Sequence, residues 1–254
     1  MRANFNWVLL ALGAGALLAA RKASSSSKTS VTPTASALPS GQPVTPDQSV
    51  PLEEYIRQLW LLGDELLPSL KGWWSESRLK AMTLAASKAY AVDPSIAWAY
   101  VFGESSGTPV STYGYWNGPE PAIAKCSTAY GVTQMLSNRF AGEQKQHPER
   151  HPWQHADLIF PDVAIWTTAA SIKRAYEKYG GRPSNDRMAK WWAGDPDKTD
   201  DPDLKAILTK GVARKTKHLN LYGKQVHDGA AHPSELDPVM LMGPDAYQGD
   251  SAVV

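Results

Sequence analysis

Apolar residues along the chain return every three or four positions in separate blocks. No block alternates residue by residue over the length of a strand. The pattern predicts a mainly α fold. Leu52 opens a first helix that reads to residue 67 and stops before Pro68. A second spans 75–91, with Leu79, Met82, Ala86, Ala89 and Tyr90 on its apolar face. Asp93-Pro94 is an N-cap followed by proline at the first helical position, so a third helix begins there. An amphipathic helix covers 162–179 and closes at Gly180-Gly181. A short helix starts at Ser184 or Asn185 and runs through Trp192, and a last one covers 203–222. Residues 108–128 mix glycine, proline and aromatics without a period and read as a loop.

The helical part, 51–228, is bracketed by segments of different character. Residues 1–22 carry an uncharged apolar run from 6 to 20, followed by Arg21-Lys22. A bilayer crossing needs about 17–25 such residues, so the run is near the lower limit. Leu18 stands where a secretory cleavage site wants a small residue. A retained membrane anchor is therefore expected, with a cleaved signal or an interfacial helix as alternatives. Residues 23–50 hold a serine run and Pro33, Pro39, Pro43 and Pro46, with too few apolar groups to offset ordering entropy; they read as a disordered linker. Residues 229–254 read as a flexible tail that could dock a virion or envelope protein. Arg21, Lys22 and Lys28 outweigh Arg2 and the terminal amine, which weakly favours the cytoplasmic side for the domain.

Charge and composition narrow the chemistry. The 254-residue chain has a formal net charge of +1 and no basic stripe, so nucleic acid is not an expected partner. A single cysteine, Cys126, excludes an internal disulfide and a cysteine zinc cluster, and reads as a small apolar filler. His147, His151 and His155 recur every four residues, yet Pro148 and Pro152 break the helix that would stack them. A solvated loop is expected there, with no metal and no cofactor. Ten tryptophans and ten tyrosines against four phenylalanines supply amphipathic rings suited to sugar faces and to ordinary cores alike.

Glu104 is the leading candidate for chemistry. Ala97, Tyr100 or Val101, and Glu104 share one face of the third helix, and a turn signal follows at once. A carboxylate on an apolar face, at the negative end of a helix dipole, is held where its charged form is disfavoured. That environment suits a general acid near neutral pH. Read alone, the segment also fits a solvated glutamate at a helix end.

Three segments belong together: Glu104-Ser105-Ser106-Gly107-Thr108-Pro109, Thr128-Ala129-Tyr130-Gly131-Val132-Thr133-Gln134, and Ala189-Lys190-Trp191-Trp192-Ala193-Gly194. In order and spacing they resemble the signature segments of the lytic transglycosylase and goose-type lysozyme family. In the first, Glu104, Ser105 and Pro109 agree with the family pattern, while Gly107 replaces an aromatic and Thr108 a polar residue. In the second, Ala129, Gly131 and Gln134 agree, Val132 is close to leucine, Thr133 replaces methionine and Thr128 replaces glycine. In the third, Ala189, Ala193 and Gly194 agree, Trp191 keeps an aromatic and Trp192 replaces asparagine. Phe160-Pro161-Asp162 and Tyr179-Gly180-Gly181 are similar to the flanks of the family's long core helix.

The resemblance implies a lysozyme-like helical domain that cleaves the glycan strands of peptidoglycan. Glu104 is implied as the acid that protonates the glycosidic oxygen, then as the base when the sugar's 6-hydroxyl attacks to give a 1,6-anhydro product. Gln134 is implied to bind substrate or hold Glu104, Tyr130 and Trp191 to offer a ring face or hydroxyl, and Gly131 and Trp192 to border the groove. Ser105 would orient the loop after the acid. Asp195 is the best placed second carboxylate, though its position before Pro196 reads as a turn. The expected protein is a membrane-tethered peptidoglycan lytic transglycosylase of a bacteriophage virion or a bacterial envelope, secreted if the leader is removed. A hydrolytic muramidase and an inactive glycan-binding or structural protein on the same fold are the alternatives.

Overall fold

The computed structural model describes residues 52–70, 74–108, 128–236 and 238–244. The expected anchor and linker, most of the 108–128 loop, and Cys126 lie outside these residues. The described part is mainly helical, as the periodicity predicts, and none of its helices is long and apolar enough to cross a membrane.

Helix α1 runs Leu52–Leu70, past the stop expected at Pro68. A proline this close to a helix end removes only one backbone bond. Ile56, Leu59, Gly63 and Leu66 form its buried stripe. Helix α2, Glu76–Tyr90, is capped by the Ser75 side chain and ends at Ala91 in the left-handed region. Helix α3, Pro94–Ser105, starts as expected, with Asp93 Oδ1 accepting from the Ser95 N–H at 2.9 Å. All six residues from Ile96 to Val101 are buried. A helix that is apolar all round belongs at the centre of a domain, and α3 packs against three others, α2 and two described next. These are α5, Pro161–Tyr179, and α7, Pro202–Leu221.

The sequence pattern shows no sign of α4, Ser137–Gln146. Only Ser137, Phe140 and Glu143 of this polar helix are buried, so its apolar stripe is a single ring. Tertiary partners hold it instead: Thr128 Oγ1 accepts from the Ser137 N–H at 3.0 Å, capping its first turn. Helix α6, Asn185–Ala193, packs along α7. Beyond residue 228 the described residues are 229–236 and 238–244. A short helix α8, Pro238–Met242, follows a 3-10 turn, and the Met240 carbonyl accepts from Trp166 Nε1 at 3.0 Å. That stretch of the expected flexible tail is therefore docked on α5.

The His147–His155 stretch also differs from expectation. His151 and His155 are buried, and they gather no metal-ligating cluster among the described residues. His155 Nε2 lies 2.9 Å from the Met135 carbonyl, and the Tyr55 hydroxyl meets its Nδ1 at 2.7 Å. Burial lowers the His155 pKa to about 4, so the ring is neutral and serves as a polar tie between α1 and the turn before α4.

Candidate active site

The second signature segment folds as a tight turn. Tyr130 and Met135 exchange backbone hydrogen bonds of 3.2 and 3.1 Å. Two residues inside the turn have positive φ, Gly131 at 74° and Gln134 at 49°. Gly131 is required on two counts: a Cβ there would sit 2.1 Å from the Leu158 carbonyl oxygen, and its φ strains any L side chain. Gln134 is kept in place by its own side chain, whose Nε2 donates to the Gly131 carbonyl at 2.8 Å.

This turn is tied to the end of α3. Ser105 is buried, and its hydroxyl donates to the Val132 carbonyl at 2.7 Å. Glu104 therefore sits where the first and second segments meet. Its side chain is 5% exposed and lies on the wall of a cavity of about 620 Å³. That volume is in the range of small-molecule and oligosaccharide sites. Gln134, Met135 and Leu136 form one side, and Trp192 and Ala193 belong to the end of α6. The opposite wall is α7, through Ile207, Leu208, Lys210, Gly211, Arg214 and Lys215.

Trp192 is fixed by packing. Its ring stacks on Tyr100, with centroids 4.2 Å apart and planes 12° from parallel. The Arg139 guanidinium lies 4.6 Å from the same ring and donates to the Trp191 and Trp192 carbonyls at 2.6 and 3.3 Å. A cation on the last carbonyls of a helix is favoured by the helix dipole. One arginine of α4 thus holds the end of α6 against the cavity.

The structure brings Glu104, Gln134 and Trp192 together and places five other predicted residues elsewhere. Tyr130 is fully buried, and its hydroxyl donates to the Leu59 carbonyl at 3.0 Å, so its ring is core and offers no face to the cavity. Gly131 packs on Leu158, behind the turn. Ser105 acts from behind as well, by joining two segments. Trp191 points away from the cavity, into a cluster of cations: Arg139, Arg174 and Lys178 lie 5.0–5.4 Å from its ring. Consecutive helical residues diverge by about 100°, so Trp191 and Trp192 cannot share a wall. Asp195 caps the 3-10 turn that follows, accepting from the Asp197 N–H at 3.2 Å, and does not reach the cavity.

The charge environment of Glu104 also departs from the expected apolar setting. Burial is as expected, but the carboxylate is not alone. Lys215 of α7, itself 7% exposed at its side chain, forms an ion pair and hydrogen bond with Glu104 Oε1. His218, one turn further along α7, places Nδ1 3.9 Å from the same oxygen and gives that nitrogen no hydrogen-bond partner. Burial lowers the Lys215 pKa, and the Glu104 charge works against that shift. Burial likewise lowers the His218 pKa, again opposed by Glu104. The close approach of α7 depends on Gly103, where a Cβ would lie 2.5 Å from the His218 ring.

Sequence reading did not anticipate α7 as part of the site. The faint signal was the spacing of Lys210, Arg214, Lys215 and His218, which a helix gathers onto one side. With Arg139, the cavity wall holds four basic side chains against one carboxylate, Glu104, among the described residues. In comparisons with known proteins, no family model matches the chain, and neither a curated protein nor a solved structure matches it.

Proposed function

We propose that the chain is a peptidoglycan lytic transglycosylase, cleaving between N-acetylmuramic acid and N-acetylglucosamine with Glu104 as its acid and base. The observation that carries this reading is the convergence of Glu104, Gln134 and Trp192 on one cavity, from three segments far apart in sequence. A buried carboxyl, a fixed amide and an aromatic wall are what acid-assisted cleavage of a sugar chain requires. The basic wall on α7 complements a glycan that carries lactyl and peptide carboxylates.

No second carboxylate lines the cavity among the described residues. Hydrolysis by the common two-carboxylate routes needs one within about 5–9.5 Å of the first. The resemblance of the three segments to lytic transglycosylases favours attack by the sugar's own 6-hydroxyl, and hence a 1,6-anhydro product, over a muramidase outcome. The reading extends to local opening of the cell wall by a membrane-tethered enzyme, in a virion or an envelope.

The Lys215 contact favours one other reading, a glycan-binding protein whose carboxylate is locked in an ion pair. Both are tested by incubating the full-length protein with peptidoglycan and resolving the products by mass spectrometry. Anhydro-muramyl ends that disappear with Glu104→Gln are the expected result. Reducing ends would instead establish hydrolysis. Binding without soluble product would establish the non-catalytic reading.

A further inference from the structure

A general acid must carry a proton when substrate arrives, and Glu104 rests in an ion pair with Lys215. We propose that Lys215 is the proton store of the site, passing its proton to Glu104 when a bound glycan displaces water from the cavity. This inference rests on the glycan-cleaving reading above.

The geometry supplies each requirement. Nζ of Lys215 is hydrogen-bonded to Oε1 of Glu104, so no intermediary is needed. Both side chains are nearly inaccessible, at 7% and 5%, yet both lie on the cavity wall that a glycan would cover. Removing the remaining water penalises the charged pair and favours the neutral one, a carboxylic acid beside an amine. Other charged groups also face the pair. Arg214, beside Lys215 on α7, and Arg139 from α4 both disfavour the ammonium. His218 also faces the carboxylate, and burial keeps it neutral at neutral pH, so it does not compete as the cation. Lys217 adds positive charge near His218.

The proton balance closes. In the covered site the proton moves from Nζ to the Glu104 carboxylate. Glu104 then gives it to the glycosidic oxygen, which leaves with the electron pair of the C1–O bond. The 6-hydroxyl oxygen bonds to C1, and its proton returns to Glu104. When product leaves and water re-enters, that proton passes back to Lys215. One C–O bond breaks, one forms, and no water is consumed.

Lys215→Arg distinguishes a proton store from a mere counter-charge. Arginine retains the positive charge but does not give up its proton at any working pH. With full-length protein and purified peptidoglycan, turnover of Lys215→Arg at pH 7–8 is expected to fall about 100-fold or more, the scale of a lost proton-transfer function. Lys215→Met, which removes the stored proton altogether, is expected to lose turnover at pH 7–8 as well. Infrared difference spectra give a readout independent of turnover. Adding an N-acetylglucosamine oligomer at neutral pH is expected to raise a protonated-carboxyl band in the wild type, absent from Lys215→Arg and from Glu104→Gln. Lys215→Arg with wild-type turnover and an unchanged pH profile would overturn the relay while leaving the glycan reading intact. Wild-type protein that leaves the glycan whole, with no infrared band, would overturn both.

Discussion

Replacing Glu104 by glutamine tests the buried pair without any assay of activity. The substitution keeps the size of the side chain and removes its charge, leaving Lys215 at 7% exposure without its counter-ion. Removing one partner of a buried ion pair costs about 3–5 kcal/mol, and the glutamine oxygen can still accept from Nζ, so about 3 kcal/mol is the working figure. For a domain of this size that lowers the melting temperature by roughly 6–12 °C. The sign of the pH dependence is a sharper check. Lys215 has its pKa lowered on folding, so the unfolded chain binds its proton more readily above the folded pKa. Its contribution therefore improves as pH rises from the folded value towards the unfolded one. Glu104 opposes the lowering, so its removal deepens it and moves the lower edge of that window down. The deficit of Glu104→Gln should be largest near neutrality and shrink on the alkaline side. Urea titrations across that range, with Lys215→Met and the double variant completing a cycle, measure it. Equal stability of variant and wild type at every pH, or additive effects in the cycle, would refute the pairing.

Three further outcomes are expected. Gly131→Ala places a Cβ 2.1 Å from a backbone oxygen at a φ of 74°, and should cost about 2–4 kcal/mol in thermal or urea unfolding. His155 has its pKa lowered to about 4, so the stability it confers is present above the unfolded value near 6.5 and is lost as pH falls towards 4; the full effect is about 3 kcal/mol. A shallower acid-unfolding slope for His155→Gln would verify it. Lys210 and Arg214 are exposed on the cavity wall. Reversing both to glutamate should weaken binding of peptidoglycan fragments about tenfold at low salt, with the gap closing at high salt and the melting temperature unchanged.

Most of the helices were legible because their signals are local. Asp93-Pro94, Ser184 and Gly180 act through the backbone groups beside them, and the structure uses all three as caps. Helix α4 was hidden because it lacks a continuous apolar stripe and depends on Thr128 and Phe140 for its place. The histidines were misread for a related reason. Proline excludes one long helix but says nothing of burial, and His155 is inside because Met135 and Tyr55 satisfy both ring nitrogens.

At the cavity the division is sharper. The resemblance in residue order brought forward Glu104, Gln134 and Trp192 together with Ser105, Tyr130, Gly131 and Trp191. It could not separate Trp192 from Trp191 or discover that Tyr130 faces Leu59, because those outcomes depend on which helix lies opposite. Above all it could not pair Glu104 with Lys215, which is 111 positions away. Local pattern determined where a carboxyl would end a buried helix. Only the packing of α7 over Gly103 decided that an ammonium would meet it there, because electrostatic partners are chosen by distance in space and not along the chain.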